Sequence, residues 1–196
     1  MKTVEIKIYQ YQELSDKAKE TARESFQDMS YGWWDCVYDD VKGIAKTIGI
    51  EIEKIYFNGF CSQGDGACFE GRYDYKKESL RAIKEYAPMD NELHNIVERL
   101  QIAQRRAFYS ISATTKHRGY YCHSGCMVVD FCENNRIEFD RAEVRDCLRL
   151  FADWIYTQLE AEYNYLTSLE CIEGNIIDNE YKYTADGLQF WDNEVK

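Results

Sequence analysis

Four glycines, Gly59, Gly64, Gly66 and Gly71, punctuate the run 58–71 between two strand-like segments, and this constrains the chain more than any other feature. Glycine admits positive φ and close backbone approach, so the run reads as a hairpin with a sharp tip. The strands are expected over about 53–62 and 67–75, with Ser62-Gln63-Gly64-Asp65-Gly66 at the tip. Successive N–H groups in such a tip could form a nest for an anion. It is neither a nucleotide-binding glycine loop nor a calcium loop. No helix or Lys-Ser/Thr pair follows it, and its acids are wrongly spaced.

The rest of the chain builds around this hairpin. Val4, Ile6 and Ile8 alternate with Glu5, Lys7 and Tyr9, which predicts a half-buried strand over 4–11. Ser15 is an expected N-cap for a helix reaching about residue 28, with Ala18, Ala22, Phe26 and Met29 on one face. A second helix spans about 34–48, and Gly49 sits where a C′ glycine belongs. Helices over about 77–86 and 90–106 bracket Pro88, the only proline. A second hairpin is expected over 108–115 and 120–132, turning near Lys116-His117-Arg118-Gly119. Asp140 and Glu143 form a D-x-x-E capping box opening a long helix over 140–166. Thr167 and Glu170 suggest another cap, and Asp186-Gly187 a last small hairpin over 181–190. Hairpins separated by helix pairs predict an α+β fold, a mostly antiparallel sheet with helices packed on it. With no linker or repeat, 1–196 reads as a single domain.

Composition narrows the function classes. No apolar run approaches the ~20 residues of a membrane span, and the alternating N-terminal segment is not a signal peptide. A cytosolic location follows as the expectation, with the 8 cysteines read as free thiols. A net charge of −11 repels nucleic-acid backbones, making direct nucleic-acid binding disfavoured unless a local basic patch overrides it. The same charge suits a protein partner with a basic surface. Asp39-Asp40, Glu51, Glu53, Glu160, Glu162, Glu170 and Glu173 are candidates for an acidic face. The 16 tyrosines suit both half-buried packing and interfaces.

Few constellations carry chemistry. His117, Cys122, His123 and Cys126 are soft metal ligands, but Cys122 and His123 are adjacent and would point to opposite faces of a strand. Cys126 with His123 or His117, or Asp65 with either histidine, is a conceivable catalytic pair without a recognised signature around it. Arg105-Arg106 and Lys116-His117-Arg118 are the compact basic groups; each could contact a phosphate or merely complement a helix end and a turn. Tyr31, Trp33-Trp34 and Tyr38 form an aromatic cluster suited to burial or to an interface.

The run Phe57-Asn58-Gly59-Phe60-Cys61-Ser62-Gln63-Gly64-Asp65-Gly66-Ala67-Cys68-Phe69-Glu70-Gly71 resembles the signature of a family of uncharacterised bacteriophage and prophage proteins. The resemblance continues at Leu14-Ser15-Asp16-Lys17-Ala18-Lys19-Glu20, His123-Ser124-Gly125-Cys126-Met127 and Phe151-Ala152-Asp153-Trp154-Ile155-Tyr156. Some members are labelled the antitoxin of a toxin–antitoxin system. The resemblance implies a phage or prophage setting in the bacterial cytosol and carries over no active site.

These readings converge on a non-enzymatic accessory protein that binds and inhibits a host or toxin protein, antitoxin-like or anti-defence. The alternative is a small-ligand protein in which Ser62, Gln63, Gly64, Asp65 and Gly66, with Arg118 and His123, cradle a nucleotide or signalling molecule. A Cys/His metal or thiol enzyme is the third class. No catalytic residue, metal ligand or cofactor is assigned.

Overall fold

A computed structural model describes residues 6–26, 32–132 and 139–191. The expected positions Val4, Glu5, Met29 and Tyr31 lie outside the described residues. The α+β architecture is as the hairpin and helix patterns require, and the chain divides into two compact units.

The central unit, 34–160, carries a four-stranded antiparallel sheet whose strands lie side by side in chain order. Helix α2 (Asp35–Ile48) ends at Gly49, whose φ of 91° places it in the left-handed region that a C′ glycine supplies without penalty. The chain turns there straight into β2 (Ile50–Asn58), so this strand lies some residues before the expected 53–62. Strand β3 (Gly66–Asp74) pairs with β2 from Ile50↔Tyr73 to Asn58↔Gly66. Its burial is near-continuous, with Ala67, Cys68 and Phe69 fully buried in succession, so both faces of the strand are covered there. Helices α3 (Ser79–Tyr86) and α4 (Asn91–Arg106) follow, then β4 (Ser112–His117) and β5 (Met127–Phe131).

The second hairpin is thus shorter in its strands and longer in its connection than expected. Residues 118–126 form a loop ending in a single 3-10 turn, Ser124–Cys126, where the sequence suggested a tight turn at 116–119.

Helix α5 (Arg141–Leu166) is 26 residues long, about 39 Å at 1.5 Å per residue. Asp140 Oδ1 accepts from the backbone N–H groups of Ala142 and Glu143, at 3.0 and 3.1 Å, so the expected cap forms. Glu143 does not return to close the box; its carboxylate takes Arg99 of α4 at 2.8 Å. Phe151 of α5 meets Phe69 of β3 edge-on at 5.8 Å, and Trp154 Nε1 donates to Asp90, the N-cap of α4, at 2.8 Å. Leu93, Ile96, Val97 and Leu100 of α4 and Val144, Leu148, Phe151 and Ile155 of α5 are buried, and each such side chain contributes roughly 1.5–3 kcal/mol.

The terminal unit comprises 1–33 and 161–196. It pairs β1 (Tyr9–Gln10) with β6 (Lys182–Tyr183) and packs α1 (Asp16–Phe26) with α6 (Leu169–Asp178). Its core is Tyr11, Leu14, Ala18, Ala22, Ile172, Ile176 and Tyr183. The first strand is short, and its faces are reversed from expectation: Ile6 and Ile8 are exposed, while Tyr9 packs on the core. Just after β1, the Tyr11 hydroxyl donates to Glu173 of α6 at 2.8 Å, which also accepts from Arg23 at 2.7 Å. Glu173 is thereby removed from the candidate acidic face, and these two donors hold its carboxyl below the ordinary range. Ser15 caps α1 through Ala18 N at 3.3 Å, as expected. At α6 the cap is Ser168, accepting from Cys171 N at 3.2 Å; Thr167 instead donates to Tyr163 O. The final hairpin forms, with Tyr183 bridging Gln189.

Candidate functional site

The first hairpin tip, 59–65, is shaped from within. Asp65 N donates to Ser62 O at 3.1 Å, closing a turn in which Gly64 takes φ = 100° at the third position. The Asp65 carboxylate then folds back over the turn, and its Oδ2 accepts from Cys61 N at 2.8 Å and Ser62 N at 2.6 Å. The nest of N–H groups anticipated for an anion therefore holds the chain's own carboxylate. Gln63 and Ser62 remain exposed at the apex. Below them, Tyr156 of α5 donates from its hydroxyl to Gly59 O at 3.1 Å and stacks on Phe60 at 5.4 Å. Phe60 continues to Phe57, and Phe57 to Trp34 and Tyr38 of the expected aromatic cluster. Trp34 and Tyr38 are half-buried, and burial pushes the Tyr38 hydroxyl up to about 12.

The 118–126 loop docks on this tip through the glycines. A Cβ added at Gly64 would lie 2.9 Å from the Tyr121 ring, and one at Gly66 would lie 2.7 Å from the His123 Cα. Gly64 serves both the turn and the contact, whereas Gly66 serves the contact. Its role was expected to be the turn; the requirement is room for a second backbone. Two sequence-distant loops are so fixed against each other that Gly64, Gly66 and His123 come together, with Arg118 exposed nearby in the same loop. Arg118 N donates to Cys126 O at 2.9 Å, and His117 Nε2 donates to Tyr121 O at 2.9 Å, closing the loop at its base. The His117 ring packs against Tyr56 at 4.6 Å, and Glu70 accepts from both the Tyr56 hydroxyl and His117 N.

The cysteine and histidine groups have a defined polarity. His123 Nδ1 accepts from Gly125 N at 3.1 Å, so the neutral ring carries its proton on Nε2, which lies 3.5 Å from Cys126 Sγ. The imidazole is therefore donor to the sulfur and offers no lone pair for the thiol proton. An imidazolium would have to give up the Gly125 bond. Burial pushes the Cys68 thiol up to about 12, reinforced by the nearby Cys122 and Cys126, and burial also raises Cys122. Among the described residues, no group of three or more His, Cys, Asp or Glu side chains is placed to hold a metal ion.

What the two loops leave outward is aromatic. Tyr120 is 88% exposed and Tyr121 49%, their rings meeting edge-on at 5.4 Å. Tyr121 stacks on His123 at 6.3 Å, so the pair stands on a fixed base. Both tyrosines fall in the strand expected over 120–132, where alternate aromatics would be covered, and so carry no functional signal in that pattern. The signal against it is Gly119 beside two consecutive tyrosines, a loop pattern rather than a strand pattern.

No helix among the described residues is long and apolar enough to cross a membrane. Comparison with curated proteins and with solved structures gives no significant match. A family model, Domain of unknown function (DUF8835), matches residues 33–169, which span the central unit and both paired loops, and the chain belongs to that family.

Proposed function

We propose that this chain is a non-catalytic binding protein of the bacterial cytosol that engages a host or toxin protein through the paired loops 59–65 and 118–126. The observation that carries the reading is the exposed Tyr120–Tyr121 pair, in the same loop as Arg118, with Tyr121 seated on His123 and against Gly64 of the first tip. Rigid aromatic side chains with few torsions to freeze are the commonest anchors of protein interfaces. The polar groups under them are internally satisfied: Asp65 on two backbone N–H groups, and His123 between Gly125 and Cys126. Little reorganisation is then needed on docking, which favours affinity. The phage or prophage setting suggested by the run 57–71 supports an inhibitory, antitoxin-like or anti-defence role. The net charge of −11 supports a partner with a basic surface, steered electrostatically to the site.

Affinity capture from a bacterial host, comparing the wild-type chain with Tyr120→Ala and Gln63→Ala, tests this. A protein retained by the wild type should be lost from Tyr120→Ala, since truncating such an anchor costs about 2 kcal/mol or more. Its retention should also weaken as salt rises. A captured protein held equally by both variants would overturn the docking site.

A further inference from the structure

A second surface lies on the same unit and shares no residue with the paired loops. Where β3 leaves the sheet, α3 and the end of α4 enclose a groove of about 620 Å³. Lys77, Arg81, Lys84 and Arg105 line it, against Glu78 and Glu85. Arg81 is held by Glu85 at 2.8 Å, and Lys77 lies 4.0 Å from Glu78. Among the described residues, Lys84 and Arg105 have no carboxylate within ion-pair distance. An excess of cations in one groove of a chain with net charge −11 marks a place where attraction for anions overrides the overall field.

The aromatic wall of the groove is held by strained backbone. Tyr75 and Tyr109 pack with ring centres 4.6 Å apart and planes at 38°, and Tyr109 remains 48% exposed. Helix α4 ends in a Schellman pattern: Tyr109 N donates to Gln104 O at 2.6 Å and Phe108 N to Arg105 O at 3.3 Å. The C′ position is Phe108, with φ = 51°, and Tyr109 follows at φ = 60°. A left-handed non-glycine residue is strained by its Cβ, and such conformations persist only where their surroundings over-determine them. Gln104 does this. Its buried side chain accepts from Ile111 N at 3.1 Å and donates to Ile111 O at 2.8 Å and to the Tyr73 hydroxyl at 3.2 Å. The chain on both sides of Tyr109 is thereby clamped. Glu78, which also lines the groove, is a third left-handed residue there, at φ = 61°. Strain of this kind gathers at ligand sites, where it presets a side chain.

Beyond Tyr75 the surface continues into a second groove of about 400 Å³, lined by Lys42, Lys46, Arg72 and Lys76 against Glu51 and Asp74. Tyr75 is common to both, so cations flank the aromatic pair on two sides.

We propose that this surface binds a nucleotide carrying more than one phosphate, with the base on the Tyr75–Tyr109 face and the phosphates on Lys77, Arg81, Lys84 and Arg105. A base stacks favourably on an aromatic side chain whatever its sequence, and Arg and Lys supply charge-assisted hydrogen bonds to phosphate oxygens. A groove of about 620 Å³ lies within the range of small-ligand sites.

Calorimetric titration of the full chain tests the assignment with ATP, GTP, adenosine, inorganic triphosphate, hexathymidylate and a glutamate-rich peptide. ATP or GTP should bind at least about tenfold more tightly than adenosine or triphosphate alone, since only the nucleotides use both halves. Tyr109→Ala should weaken nucleotide binding about tenfold, and Lys84→Ala with Arg105→Ala at least as much. Both variants change exposed side chains, and thermal melting checks that they fold. Failure of either nucleotide to bind, or binding unchanged in both variants, would overturn the site. Binding of hexathymidylate without binding of ATP or GTP would overturn the free-nucleotide assignment. So would equal binding of the acidic peptide.

Discussion

The paired loops and the basic groove are built on opposite principles. At the loops, the groups that could have held a ligand are consumed by the chain itself: the Asp65 carboxylate fills its own turn and His123 is committed on both ring nitrogens. At the groove, Lys84 and Arg105 have no carboxylate partner among the described residues, and strained backbone holds a tyrosine in place beside them. A surface whose polar groups are satisfied favours a macromolecule that covers its aromatic residues. One with unspent charge favours a small anion. Substitutions that separate stability from binding should therefore divide the two regions.

The largest effect on stability belongs to the loops. Gly66→Ala puts a Cβ 2.6 Å from the His123 Cβ and 2.7 Å from its Cα, neither of which can rotate away. One backbone must move, and overpacking of this kind costs about 1–3 kcal/mol. Urea unfolding should show that loss. Gly43→Ala is the control, because a Cβ at that helical position would meet nothing within 4 Å and should cost no stability. If Gly66→Ala unfolds like the wild type, the loops are not locked together and the contrast with the groove fails.

Asp65→Ala comes next. It removes the acceptor for Cys61 N and Ser62 N, hydrogen bonds to a charged group whose loss costs about 1–2 kcal/mol at a half-exposed site. Asp65→Asn keeps an oxygen acceptor and should recover much of it. A recognition role for Asp65 would reverse the pattern: stability would hardly change in either variant, while partner capture would fall in both.

How far each region was legible in the sequence follows from where its contacts come from. The glycine-punctuated hairpin, the caps at Ser15 and Asp140 and the long α5 are local patterns, readable from neighbours a few residues apart. The course of 118–126 was not. Tyr120 to Cys126 have the aromatic and cysteine content of a strand, Gly119 is a weak local signal against it, and the contacts that hold them as a loop are to the distant Gly64 and Gly66. Gly66 itself was read as a turn residue because its true neighbour, His123, is far along the chain. The groove was least legible of all. Its cations and tyrosines are spread over 75–109, on a strand exit, two helices and a helix end, and only Arg105 belonged to a compact basic group. The left-handed φ values at Phe108 and Tyr109 run against residue preference, so no propensity argument finds them.

Phe108→Gly tests whether that strain is real. Phe108 is 79% exposed, so little packing is lost, and glycine occupies the left-handed C′ position without the Cβ penalty. The relief, offset by the added freedom of the unfolded chain, should stabilise the protein by about 0.5–1 kcal/mol in urea unfolding. A destabilised variant would mean that Phe108 is held by packing, and the groove would lose its claim to stored strain.

The smallest effect on stability should come from Lys84→Ala combined with Arg105→Ala. Both are exposed cations without an ion-pair partner among the described residues, and surface changes of this type usually stay within about 0.5 kcal/mol. What their removal forfeits is a cation in the last turn of α3, at Lys84, and one of two in the last turn of α4, at Arg105, each a small exposed dipole interaction. The variant should melt like the wild type and still capture a protein through Tyr120, while losing nucleotide affinity. If it lost protein capture as well, the basic groove would belong to the docking surface, and the two regions would be one site rather than two.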